Sequence, residues 1–214
     1  GLMDQVACAV GGIVAIDFAD PSAPVIEKMN FDLSANGYNL CIVNTGGNHA
    51  DLTDDYASVP KEMKEVAAYF GKSVLREVSE DELITAVPAL RKKLGDRAIL
   101  RALHFMSENK RVEKALAAAE AGDTDAFLAE INASGTSSAI ALQNYFTCKA
   151  PAEQGITLAV TLAREIMGGK GAARVHGGGF AGTAQAFVPE EIFDKFVAAM
   201  EGAFGKGAVV ALEI

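Results

Sequence analysis

The sequence lacks any uninterrupted run of about 18 apolar residues, which excludes a helix that crosses a membrane from the readings of this chain. Its apolar opening, GLMDQVACAVGGIVAIDF, is broken by Asp4, Gln5, Gly11 and Gly12, and it does not have the form of a secretory signal. Positive charge is also short. The 19 Lys and Arg against 28 Asp and Glu leave a net charge of −9, and a nucleic-acid partner needs a basic face to neutralise phosphates. An anionic membrane surface is disfavoured for the same reason. Cysteine is sparse and odd in number: Cys8, Cys41 and Cys148 stand far apart without C-x-x-C spacing. That pattern excludes a disulfide framework and the common zinc sites, and it suits a reduced, cytoplasmic protein with each cysteine serving as a small buried hydrophobe. The three histidines, His49, His104 and His176, show no metal spacing either. Repeats and low-complexity tracts are absent. No capping residue precedes a helix over residues 2–10, because Gly1 stands alone there, so the chain reads as a piece of a longer protein.

What is present is ordinary globular composition, half hydrophobic and 22% charged, enough to bury a sizeable core. The opening helix stops at Gly11-Gly12. Three short apolar stretches follow, IVAIDF (13–18), VIEKMNF (25–31) and YNLCIVNTG (38–46), separated by turn residues, and they predict an antiparallel meander. From Val59 the period becomes helical, with Met63, Val66, Ala67 and Phe70 on one face before Gly71. Ser79-Glu80-Asp81-Glu82 predicts a capping box opening a short helix, and Pro88 begins another. A long helix is expected over 96–121, one capped by Asp123 through Ile131, one entered at SGTSSA (134–139), and one over 151–167 ended by Gly168-Gly169. The tail reads strand, strand, helix, strand. The fold class is therefore α+β, with an antiparallel sheet and segregated helices.

Four features could carry chemistry. In RVHGGGFAGTAQAF (174–187), three consecutive glycines between apolar strands either let the main chain approach a ligand closely or form a simple turn. Their amides could make an anion-binding nest. Asp4 is an acid within an apolar helix, suited to act as a base toward a hydroxyl or to sit at an exposed face. SGTSSA resembles a phosphate-cradling loop, although capping of a helix explains it as well. Asp51, Asp54 and Asp55 could line a sugar or metal site, but a solvated loop is the default reading.

GLMDQ (1–5) resembles the G-[IL]-M-D-Q segment of galactokinases, in the GHMP kinase superfamily. RVHGGGFAG (174–182) resembles the third motif of that superfamily, NTGGNHADLTDDYASVPKEM (44–63) the stretch after the family's central strand, and RALHFMSENKRV (101–112) its Arg-x-x-His segment. The four occur in the family's order. The resemblance implies a two-lobed fold of which residues 1–56 are the end of the amino-terminal lobe and 57–214 the carboxyl-terminal domain, with the change spread over 46–57. It implies transfer of the ATP γ-phosphate to the anomeric hydroxyl of galactose. By motif, Asp4 matches the aspartate facing that hydroxyl, Gly1 the glycine whose backbone approaches the sugar, and Tyr56 the tyrosine beside it. Gly177, Gly178 and Gly179 match the loop near substrate and phosphates. ATP and Mg2+ would be held mainly by the family's amino-terminal half, which precedes GLMDQ and is thus an expected partner of this piece. Ala181 stands where glycine is common, and Asn44 and Asn48 where many galactokinases carry charged residues, so the sugar itself is left open. Another sugar kinase of the superfamily, a non-catalytic sugar sensor and a free-standing binding module are the alternatives. Alone, the piece is expected to be inactive.

Overall fold

The computed structural model describes residues 2–47 and 52–212. The chain opens with α1 (Leu2–Val10), then β1 (Val14–Asp17) and β2 (Val25–Lys28), which pair antiparallel as an isolated ribbon. β3 (Tyr38–Asn44) does not complete a meander. It pairs instead with β5 (Thr183–Pro189) and β6 (Val209–Leu212), while β4 (Ala172–Val175) pairs with β5. The result is a four-stranded antiparallel sheet of order β4-β5-β3-β6. The expected meander fails for a packing reason. Met29, Phe31 and Leu33 in the connection are all buried, so that stretch dives into the core rather than turning back along β2. Both faces of β3 are used, one by Cys41 and Val43 and the other by Leu40, as suits a strand covered on two sides.

One face of the sheet packs on α6 (Gly155–Met167) and α7 (Phe193–Phe204), through Ile156, Ala159, Val160, Ala163, Phe196 and Met200. Phe187 and Ala172 on the opposite face meet Phe127 and Leu128 of α5 (Thr124–Ser137), together with Phe31 and Leu33. A third core joins α2 (Thr53–Tyr69), α3 (Glu80–Leu94) and α4 (Asp96–Ala121) through Val66, Leu83, Leu90, Ile99 and Ala102. This is the α+β architecture expected, with helices and antiparallel strands in separate layers.

Several local expectations hold: Ser79 caps α3 in a full capping box with Glu82, and the Asp123 side chain accepts from the Ala126 N–H. Others do not. Pro88 lies inside α3 rather than at the start of a helix. The missing N–H costs one bond to the Ile84 carbonyl, and Ile84 itself is exposed. SGTSSA does not open a helix: α5 runs through Ser137 and continues as a π-helical turn, Ser138–Leu142. Gly135 is a packing glycine. A Cβ there would stand 2.8 Å from the Arg174 Cβ and 3.0 Å from the Ala173 carbonyl on β4. Of the cysteines only Cys41 is buried, which raises its thiol pKa to about 11; Cys8 and Cys148 are exposed.

The Phe31 ring lies 5.0 Å from that of Phe127, fastening the connection after β2 to α5. Phe31→Ala is expected to lower stability by about 3 kcal/mol. Val25→Thr, on the exposed ribbon, should change it by less than about 0.5 kcal/mol. Urea unfolding of the two variants checks both values.

Candidate functional site

The turn between β4 and β5 is the most constrained main chain in the molecule. Gly177 and Gly179 have φ of 68° and 83°, in the left-handed region that favours glycine. Phe180, at φ 62°, is a bulky side chain in that region, a conformation that costs on the order of 1–3 kcal/mol and persists only where its surroundings enforce it. Here the surroundings are visible. The Phe180 N–H donates to the Asn144 carbonyl at 2.5 Å, and its buried ring meets Tyr56 edge-on, with centroids 5.4 Å apart. Asn144 Nδ2 donates to the Gly178 carbonyl at 3.1 Å, and the Tyr56 hydroxyl donates to the Gly179 carbonyl at 2.8 Å. The carbonyls of Gly178 and Gly179 are therefore turned into the protein. Among the described residues the N–H groups of Gly177, Gly178 and Gly179 meet no acceptor. Successive amides of this kind form a concavity suited to an anion.

The same turn leaves no room for side chains. A Cβ on Gly178 would lie 2.7 Å from Cε1 of Tyr56, and one on Gly179 would lie 2.1 Å from the Asn144 carbonyl oxygen. On its far side, the Gly182 carbonyl accepts from both the N–H and the hydroxyl of Thr45, at 2.9 and 2.7 Å. The loop after β3 thus lies against the turn. The Ala181 methyl is accommodated by Gly47: a Cβ on Gly47 would come within 2.8 Å of the Ala181 Cβ.

The structure brings Tyr56 and the glycine triplet together. Gly1 lies outside the described residues, as do Asn48, His49 and Asp51. Asp4 has its backbone in α1, and its side chain likewise lies outside the description. Asp54 and Asp55 sit in the first turn of α2 rather than in a solvated loop. Asp55 accepts from the Thr147 hydroxyl at 2.9 Å, and Lys149 stands 3.5 Å from Asp54. Asn44 turns its side-chain oxygen back onto the Gly46 N–H at 3.0 Å. His176 is 2.9 Å from the Thr183 hydroxyl. A cavity of about 750 Å³ lies at the other end of β5, lined by Tyr38, Asp125, Asn132 and Lys170 among others, and is separate from the glycine turn.

Two residues escaped the sequence reading. Asn144 supports the turn from behind, and Arg101 supports Asn144. Arg101 is 1% exposed, with Nη1 2.8 Å from both Ser58 Oγ and Glu62 Oε2, and Nε donating to the Leu142 carbonyl at 3.1 Å. Its only signal in the sequence was membership of the Arg-x-x-His segment. The His104 of that segment is buried, with Nδ1 2.9 Å from the Ser137 hydroxyl. Burial lowers its pKa below 6.5 despite the attraction of Glu108, and Arg111 and Arg174 push the same way as burial. Burial opposes ionisation of Glu108 too, but hydrogen bonds from Ser134 and Arg111 outweigh it and lower the pKa. The SGTSSA hydroxyls therefore serve helix packing: Ser134 bonds Glu108 and Ser137 meets His104.

No family model matches the chain. It is 32% identical to a galactokinase of Streptomyces coelicolor over 216 aligned residues, which cover 99% of this chain and 52% of that protein. A galactokinase of Glaesserella parasuis is 31% identical over 195 residues, covering 89% and 47%. The chain spans about half the length of the curated relatives it matches. In fold it is similar to Lactococcus lactis galactokinase complexed with galactose, with a TM-score of 0.75 at 23% identity over all of this chain and 54% of that one. It is also similar to L. major mevalonate kinase in complex with R-mevalonate, with a TM-score of 0.56 at 16% identity over 97% of this chain and 50% of that one.

Gly179→Ala is expected to cost about 2 kcal/mol or more, because it adds a clash to a positive φ. Thermal unfolding measures it. The lowered His104 pKa sets a sign for pH dependence. As pH falls below 6.5 the unfolded chain takes up its proton first, so the stability present above that value drops toward the folded pKa. Glu108 adds a separate loss below 4.5. Urea midpoints between about pH 7.5 and 5.5 should fall in the wild type and flatten in His104→Gln.

Proposed function

The chain is a relative of the galactokinases, has the GHMP kinase fold and fits the carboxyl-terminal portion of such an enzyme; from that premise we propose that it forms one side of the active site of an ATP-dependent galactose 1-kinase. The sugar's anomeric oxygen attacks the γ-phosphorus of ATP, the bond from that phosphorus to the bridging oxygen breaks, and ADP leaves. Asp4 accepts or orients the proton of the anomeric hydroxyl. Gly1 brings its backbone toward the sugar, and Tyr56 stands beside it. Phosphoryl transfer of this kind depends on positioning and charge stabilisation rather than covalent help.

One observation carries the reading. Tyr56 bonds directly to a glycine turn whose three outer amides have no acceptor among the described residues. Such amides fit the oxygens of a phosphate, and the close glycine–tyrosine contact fits a sugar at the same place. Among the described residues no group of three or more His, Cys, Asp or Glu gathers that could hold a metal ion. Mg2+ and most of the ATP contacts belong to the amino-terminal half of the longer protein. We assign that protein to the cytoplasm, where ATP and the free sugar meet; no described helix is long and apolar enough to cross a membrane.

The test is an ADP-release assay with galactose on the longest product of the gene. Turnover is expected, and Asp4→Asn should lower kcat by roughly 10²–10⁴. The 214-residue chain by itself should show none. Full activity in the Asp4→Asn protein, or turnover by the short chain alone, overturns the assignment.

A further inference from the structure

The geometry points to Asn144 and Arg101 as positioning residues that set the shape of the Gly177–Phe180 turn, and through it the rate of phosphoryl transfer; the kinetic half of this inference rests on the galactokinase reading. Asn144 grips the turn twice. Its main-chain carbonyl accepts from Phe180 and its side-chain amide donates to Gly178, so Gly179 is held between two bonds from one residue. Tyr56 supplies a third bond, to the Gly179 carbonyl. With both glycine carbonyls drawn inward, the amides of Gly177–Gly179 are left with their N–H groups unpartnered among the described residues.

Asn144 lies outside any helix or strand of its own. Asn144 follows a π-helical turn and Gln143, a non-glycine residue at φ 59° and ψ 51°. π-Turns are local distortions, frequent at functional sites, and they leave terminal carbonyls in need of donors. Arg101 supplies one, through Nε to the Leu142 carbonyl two residues before Asn144. With Nη1 the same guanidinium binds Ser58 and Glu62, on the helix that carries Tyr56. A planar, permanently charged fork can do both at once, whereas an ammonium cannot. Arg101 therefore gives Asn144 and Tyr56 a common reference, and their separation fixes the turn between them. Asn144 itself is 3% exposed; among the described residues its Oδ1 has no partner, and its amide nitrogen bonds the turn at Gly178.

Two measurements test this. In the 214-residue chain, amide hydrogen exchange of peptides covering residues 176–182 should accelerate about tenfold or more in Asn144→Ala, while peptides from α3 stay unchanged. Arg101→Lys keeps a cation beside Glu62 but loses the fork, and it should show the same local acceleration even where Arg101→Ala fails to fold. In the longest gene product, both variants should lose about tenfold or more in kcat, with the KM for galactose changed less than about threefold. The inference is overturned by exchange that is unchanged in the turn, by exchange that rises evenly along the chain, or by an unaltered kcat where the turn has loosened. If the wild-type product does not phosphorylate galactose, the kinase reading fails, and the exchange experiment decides the positioning role by itself.

Discussion

The main chain at Gly178 and Gly179 approaches Tyr56 and Asn144 so closely that no Cβ fits, and the rest of the site is arranged around that contact. A turn pressed this hard against its neighbours has its carbonyls taken by them, which decides where its amides face. It also transmits any displacement of Tyr56 or Asn144 directly, because rigid groups at van der Waals distance cannot absorb it. This explains why so much of the surrounding structure is devoted to fixing two residues that lie far apart in the sequence.

The three cores divide that work. The sheet, buried on both faces, anchors β4 and β5 and so delivers the two ends of the turn. The bundle of α2, α3 and α4 delivers Tyr56. Arg101 joins them through a buried charge with three hydrogen bonds, to Ser58, Glu62 and Leu142. Such a group is a poor source of net stability, since desolvation offsets much of its attraction. Its value here lies in direction. A hydrophobic residue at position 101 could fill the space but could not specify the distance between a helix and a π-turn.

The elements were largely legible because their signals are local. The capping box at Ser79, the glycine stops and the apolar stripe of α4 each act within one or two turns of chain. Pairing was less legible. Sequential strands usually neighbour one another, but Met29, Phe31 and Leu33 redirect the chain, and only tertiary burial reveals that. Pro88 misled in a similar way: it is a breaker by local rule, yet it lies inside α3 beside an exposed helix face. In the site, Tyr56 and the glycine triplet were recognisable from a family pattern. Asn144 was not, since an isolated Asn after LQ carries no periodicity and its importance depends on a partner 34 residues away.

The electrostatics fit a site of this design. A chain with net charge −9 does not draw an anionic nucleotide from a distance, and salt screens its surface charges beyond about 8 Å in any case. What acts at contact is the set of fixed dipoles. Amides held by a rigid frame stabilise charge without reorganising as it develops, whereas a flexible lysine must be desolvated and immobilised first. Glycine is needed for the conformation but brings high unfolded-state entropy, so three in succession form a rigid dipole array only if the neighbours impose the order. Tyr56, Asn144 and the strained Phe180 impose it here. The rigidity of this turn is therefore a property of its supports, and it cannot be read from the glycines themselves.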